Sequence, residues 1–156
     1  MARVGSIVYT PKGSPRLTPE YYVRVPLQEA ALVIGHGIEG DRKGGNPNRQ
    51  LNIMSQSTVD ALKAQGLKTA PGELGEQIVI DGFDVADLNP GDRVRLGDAV
   101  IEVISFRTGC DRFQHIQSTD PKTLARKLGI MARVVESGAI RVGAPVKVAS
   151  YASEQG

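Results

Sequence analysis

Glycine and proline interrupt this chain too often for any helical pattern to run longer than about three turns. The 156 residues hold 18 glycines and 9 prolines, and the runs between them are short and rich in β-branched and apolar residues. Arg3 to Tyr9 forms a first strand, and Tyr21 to Leu27 with Gln28 to Ile34 a second strand system in which Pro26 marks an edge or a bend. Leu51 to Met54, Gln77 to Ile80, Arg93 to Leu96, the run beginning at Val100, Met131 to Glu136, Ala139 to Val142 and Val146 to Ser150 follow. Asp81-Gly82 predicts a tight hairpin, because a primed turn needs positive φ. With the further turns at Asn89 to Asp92 and Gly97-Asp98, it predicts an antiparallel meander whose turns recur too closely for crossover helices. Two short helices are expected. One runs from about Gln56 to Gln65, capped by Ser55 or Ser57, striped by Val59 and Leu62 and stopped by Gly66. The other opens at Asp120-Pro121 and ends near Leu128-Gly129. The expectation is a mainly β fold of about nine strands, closed or semi-closed into a β-barrel because closure removes the edges that many short strands create. Residues 1–150 are expected to form a single domain, and 151–156 a disordered tail.

Charge and cysteine content narrow the function. With 19 basic against 17 acidic residues the formal net charge is +2, and the basic residues gather into no run, which argues against a nucleic-acid partner. Four Tyr, three Phe and no Trp provide little for stacking on single-stranded bases. One cysteine excludes an internal disulfide, and a free thiol is easiest to keep in the cytoplasm. The N-terminus lacks an apolar signal core and no stretch approaches 18 apolar residues, so no membrane span is expected.

That cysteine, Cys110, follows a β-branched run (Val100, Ile101, Val103, Ile104) across Thr108-Gly109 and is flanked by Arg107 and Arg112. Neighbouring cations favour the thiolate, the form that attacks electrophiles or binds soft metals, over a thiol whose ordinary pKa is ~8.5. A lone cysteine also serves as a small buried hydrophobe, and this stretch alone leaves both roles open. The segment Gly35 to Gln50 is too glycine-rich for a helix or a central strand. Its N–H groups could line an anion site with Arg42, Lys43 and Arg49, or it could be a solvated surface loop. His36 and His115 are the only histidines, and with one cysteine they make no zinc set; His115 is near enough in sequence to act as a base.

Read together, five blocks resemble the MOSC domain, the family named for the C-terminal domain of molybdenum cofactor sulfurase. They are G-I-E-G-D-R (37–42), R-Q-L-N-I-M (49–54), P-G-E-L-G-E-Q-I-V-I-D-G (71–82), N-P-G-D-R-V-R-L-G-D-A-V-I-E-V (89–103) and R-T-G-C (107–110). The stretch 128–143 also resembles the family's closing hairpin. The resemblance implies a barrel of the pyruvate-kinase type and assigns the chemistry to Cys110 with Arg107 and Arg112. Gly40, Asp41, Arg42, Arg49, Gln50, Gly75, Glu76 and Gln77 become the residues for the molybdenum cofactor. It implies a sulfur carrier that receives sulfur as a persulfide from a cysteine desulfurase, pyridoxal phosphate being on that partner, and passes it to a molybdoenzyme. It equally allows a molybdenum-dependent reductase of N-hydroxylated compounds with Cys110 as metal ligand, Glu76 or Asp111 delivering protons and a separate electron-transfer protein. A third possibility is a non-catalytic barrel that binds an anion or a partner. The chain departs from the family in Gln77 for Asn, in Gly109 for Pro, and in Arg42-Lys43 for Arg-His.

Overall fold

The computed structural model describes residues 1–13, 24–42, 44–47, 50–107, 116–117 and 128–152. The strands are β1 (Arg3–Tyr9), β2 (Val25–Pro26), β3 (Glu29–Val33), β4 (Gly37–Ile38), β5 (Leu51–Ser55), β6 (Ile78–Asp81), β7 (Arg93–Leu96), β8 (Ala99–Phe106), β9 (Ile130–Glu136), β10 (Gly138–Arg141) and β11 (Val146–Ser150). Helix α1 (Gln56–Ala64) and a short 3-10 turn (Val85–Asp87) complete the elements. The second expected helix lies mostly outside the described residues. Eight strands form one sheet in the order β11-β7-β8-β9-β5-β6-β1-β2, and three form another, β10-β3-β4. No helix among the described residues is long and apolar enough to cross a membrane.

One row of register partners organises the large sheet. Phe106, Ile130, Ile53, Ile78 and Ile7 lie side by side across β8, β9, β5, β6 and β1, and all five contribute to the main core. Met54 and Val79 point the other way and meet Val59 and Leu62 of α1, with Leu74 and Leu128, in a second core. Strands β5 and β6 are therefore buried on both faces, which is why they read as nearly unbroken apolar runs. They are also parallel, with α1 as the crossover between them, and that corrects the expected meander. The hairpin predicted at Asp81-Gly82 does not form. Strand β6 already has β5 on one side and β1 on the other, which leaves no edge for β7, and the meander begins only with β7 and β8.

The expected closing hairpin at 128–143 also divides. Strand β9 joins the large sheet, while β10 pairs with β3 in the small one. Ser137 alone links them, its hydroxyl accepting from Ile34 N at 2.9 Å. Gly138 follows because a Cβ there would lie 2.4 Å from the Asp98 backbone.

No ladder closes on itself as a barrel among the described residues. The edge of β1 is instead shared, β2 pairing with Val8 and Tyr9 and the segment 143–146 meeting residues 2–4. There Val4 N donates to Ala144 O (2.9 Å), Gly143 N to Val4 O (2.7 Å) and Val146 N to Ala2 O (3.0 Å). The edge problem is thus met by main-chain ties and by a two-residue strand carrying a proline.

Gly129 enters β9 at φ 86°, with the Ile53 carbonyl 2.1 Å from where a Cβ would sit. Gly129→Ala adds backbone strain of about 1–3 kcal/mol to that clash. Its urea midpoint is expected to fall by the equivalent of at least ~2 kcal/mol, whereas an exposed control such as Gly143→Ala, which has open space at its Cβ, loses only the strain.

Candidate functional site

Gln50 immediately precedes β5 and Gln77 immediately precedes β6, and because those strands are parallel both residues lie at one end of the sheet. Thr10 follows β1, which is antiparallel to β6, and reaches the same end. The glycine-rich loop is drawn onto this end through β4. Gly37 has φ 114°, and a Cβ there would sit 2.8 Å from Gln50 O, so a side chain would push the two segments apart. Two main-chain bonds then fasten the loop to the end of β1, Lys12 N to Gly40 O (3.0 Å) and Arg42 N to Thr10 O (2.7 Å).

Asp41 is carried into the interior by this loop and is 0% exposed. Its Oδ1 accepts from Thr10 N at 3.2 Å, and its Oδ2 accepts from the Gln77 side-chain amide. The same amide reaches Gln50 O at 3.5 Å, while Gln77 Oε1 accepts from Asn52 N at 2.7 Å. A buried carboxylate without such donors is strongly unfavourable. Gln77 meets this need with donors on its nitrogen and still satisfies Asn52 with its oxygen. Gly75 O closes the cluster, accepting from Asn52 Nδ2 (3.1 Å) and Arg24 NH2 (3.2 Å), and Arg24 NH1 donates to Thr10 Oγ1 at 3.1 Å. Asn52 Oδ1, buried in this cluster, accepts from no described residue.

Glu76 turns into its own loop. Its carboxylate accepts from Gly72 N (3.0 Å) and Leu74 N (3.1 Å), and it is 2% exposed. Burial pushes its carboxyl above the ordinary value, against the opposing pull of those N–H groups and of the Arg107 guanidinium. Arg107 is also buried. Its NH1 donates to Leu74 O at 2.6 Å, and its main-chain N donates to Gly129 O at 2.9 Å. Arg107, the residue that leads into 108–115, is thus bolted to the loop whose other end is Gln77. Gln117 holds the loop from beyond that segment, its Nε2 donating to Lys68 O (2.8 Å) and Glu73 O (3.1 Å).

Of the residues expected at the site, Gly40, Asp41, Gln50, Gly75 and Gln77 come together, and Arg42 joins them through its backbone while its side chain is exposed. Glu76 and Arg107 form the adjoining pair. Cys110, Arg112, Arg49, Lys43, Asp111 and His115 lie outside the described residues. Asn52, Thr10 and Arg24 were missed. Asn52 carried a signal, being a polar residue inside an apolar strand run, whereas Thr10 and Arg24 carried none. Among the described residues no group of three or more His, Cys, Asp or Glu could hold a metal ion.

A model of the MOSC domain family matches residues 40–147, a span that contains Asp41, Gln50, Asn52, Gly75 and Gln77 but not Thr10, Arg24 or β4. No curated protein matches the sequence. Among solved structures, YiiM from Geobacillus stearothermophilus superposes with a TM-score of 0.72 at 22% identity, covering 95% of this chain and 75% of that one. YiiM from Escherichia coli gives 0.70 at 23%, with coverages of 95% and 70%. The YUAD protein from Bacillus subtilis gives 0.70 at 18%, with 97% of each chain covered. At these identities the structures establish likeness of fold.

Two outcomes test the network. Gln77→Leu keeps the size and removes the donors, leaving Asp41 and Asn52 N–H buried with fewer partners; a loss of about 2–4 kcal/mol is expected in chemical denaturation. Glu76 has a sign in pH. The unfolded chain titrates it near 4.5 and the folded chain higher, so the folded state holds the proton more often between the two. Stability from this group therefore falls as pH rises from below 4.5 through the raised folded value. The difference between wild type and Glu76→Gln, followed by urea denaturation across that window, should carry this slope; a flat difference would remove the assignment.

Proposed function

The chain belongs to the MOSC domain family, and on that premise we propose that it handles sulfur through Cys110, carrying it as a persulfide between two proteins. One observation carries the reading. A single buried network ties the loop at 40–42, the start of β5 and the start of β6 together, and Arg107 fixes the beginning of the cysteine segment to the loop that enters that network. Cys110 follows Arg107 by three positions in the sequence.

The chemistry is an exchange between sulfurs. The Cys110 thiolate attacks the outer sulfur of a donor persulfide, the donor's S–S bond breaks and the donor leaves as a thiolate. Cys110 then carries the outer sulfur until an acceptor nucleophile takes it and restores the thiolate. No net oxidation occurs, and the proton on the outer sulfur travels with it in each exchange. Arg112, supplied by the same segment, favours the anionic forms. The donor is a cysteine desulfurase, which holds the pyridoxal phosphate. The acceptor is a molybdoenzyme or its cofactor, and the exchange takes place in the cytoplasm, where thiols stay reduced.

The orphaned Asn52 Oδ1 favours a second reading, in which the molybdenum cofactor is held here. The residues present fit it: Asn52 offers an acceptor for a pterin N–H, and the exposed Arg42 side chain offers a cation for its phosphate. When bound, the group would supply a redox-active metal ligated by the Cys110 sulfur, for reduction of N-hydroxylated compounds. This chain's own part is to bind and orient it, with Glu76 as the buried carboxyl able to hold a proton and a separate protein delivering electrons.

Incubation with a cysteine desulfurase and cysteine, followed by alkylation and mass spectrometry, should show one added sulfur on Cys110 of the native protein, and none on Cys110→Ser. Labelling no faster than that of the urea-unfolded chain would sink the carrier role. Molybdenum retained stoichiometrically by wild type and lost by Cys110→Ser and Asn52→Leu would decide for the second reading.

A further inference from the structure

On the outer face of the large sheet, Arg93, Glu102 and Arg133 are register neighbours on β7, β8 and β9. The single carboxylate holds both guanidiniums. Arg93 Nε lies 3.2 Å from Glu102 Oε1, and Arg133 Nε and NH2 lie 3.0 and 2.5 Å from Oε2. Glu102 is mostly shielded, at 13% side-chain exposure, while the arginines are 42% and 49% exposed. The trio carries one excess positive charge. Both terminal nitrogens of Arg93, and NH1 of Arg133, donate to no described residue.

These arginines line a cleft of about 470 Å³, with Gln50 on its wall and Ile34, Pro47 and Val135 supplying apolar surface. That volume is within the range of small-molecule sites. Gln50 is 3% exposed. Its Oε1 is committed to Val134 N at 2.9 Å, and no described residue accepts from its Nε2. The side-chain polar atoms left over at this cleft are thus N–H donors on two pre-oriented cations and one amide. Such a set matches an oxyanion with several acceptor lone pairs.

We propose that this cleft binds a small organic oxyanion, a phosphate monoester or carboxylate with a compact apolar body. The oxyanion lies between Arg93 and Arg133, and the apolar body lies against Ile34, Pro47 and Val135. Glu102 is the positioning residue: it turns both guanidiniums the same way and so prepares the clamp. The site requires neither Cys110 nor a bound cofactor, so its fate is independent of the sulfur chemistry proposed above.

Phenyl phosphate, benzoate and neutral phenol, titrated into the full chain by calorimetry and by NMR of the arginine Nε–H resonances, distinguish the cases. One equivalent of phenyl phosphate or of benzoate should bind saturably, phenol should not, and the stronger of the two anions identifies the head group. Arg93→Gln and Arg133→Gln should each weaken binding on the order of tenfold while leaving the melting temperature in place, since both side chains are half exposed. Glu102→Gln separates a clamp from mere attraction: it adds positive charge, yet should weaken binding because the guanidiniums lose their orientation. Stronger binding in Glu102→Gln, equal binding of phenol, unchanged affinity in both arginine variants, or no binding of either anion would each overturn the proposal.

Discussion

A carboxylate sealed from water sets the terms for one whole end of this molecule. Asp41 is 0% exposed, and an ionised group so placed is tolerated only where donors are already in position. Thr10 supplies one from the end of β1, and Gln77 supplies another from the start of β6. The loop, the first strand and the crossover unit are therefore registered against each other by a demand that none could meet alone. Gln77 spans to Asp41 with its amide nitrogen while its oxygen takes Asn52 N, so one side chain serves both the loop and β5.

The strands were largely legible, because each is a short apolar run between glycine or proline breaks. Arg3–Tyr9, Arg93–Leu96 and Val146–Ser150 have the bounds that the pattern gives them. Their partners were not legible. Pairing depends on which edges are already taken, a property of the whole sheet. Asp81-Gly82 has a hairpin's turn chemistry, and Gly82 does adopt φ 85°, yet both neighbours of β6 were already in place. The same holds at Ser137, where one residue carries the chain from one sheet to the other. The period of α1 gave its stripe correctly, but nothing in that stripe says that the strands it joins run parallel.

At the site, glycine-bearing blocks were legible because close backbone approach leaves few alternatives to glycine. The residues that missed notice act through single atoms. Arg24 stands 51 positions from the carbonyl it grips, and its code is one of 19 basic residues; only the fold tells it from the others. Glu76 was expected to face a ligand, as acidic residues in such loops do. Its carboxylate instead replaces the water that Gly72 N and Leu74 N would otherwise need, and its chemistry reaches the cysteine segment through Arg107.

The shared edge of β1 has a consequence for the order of events during synthesis. Residues 3–7 wait for β6 on one side, and residues 2–4 wait for 143–146 on the other. A nascent chain emerging N-terminus first therefore carries its opening strand half-paired for most of translation, with a row of backbone donors and acceptors available to any other strand nearby. Loop-closure entropy grows only slowly with length, so the final tie is thermodynamically inexpensive, but it comes last. The stretch most exposed to wrong pairing is consequently β1, made before both of the segments that flank it.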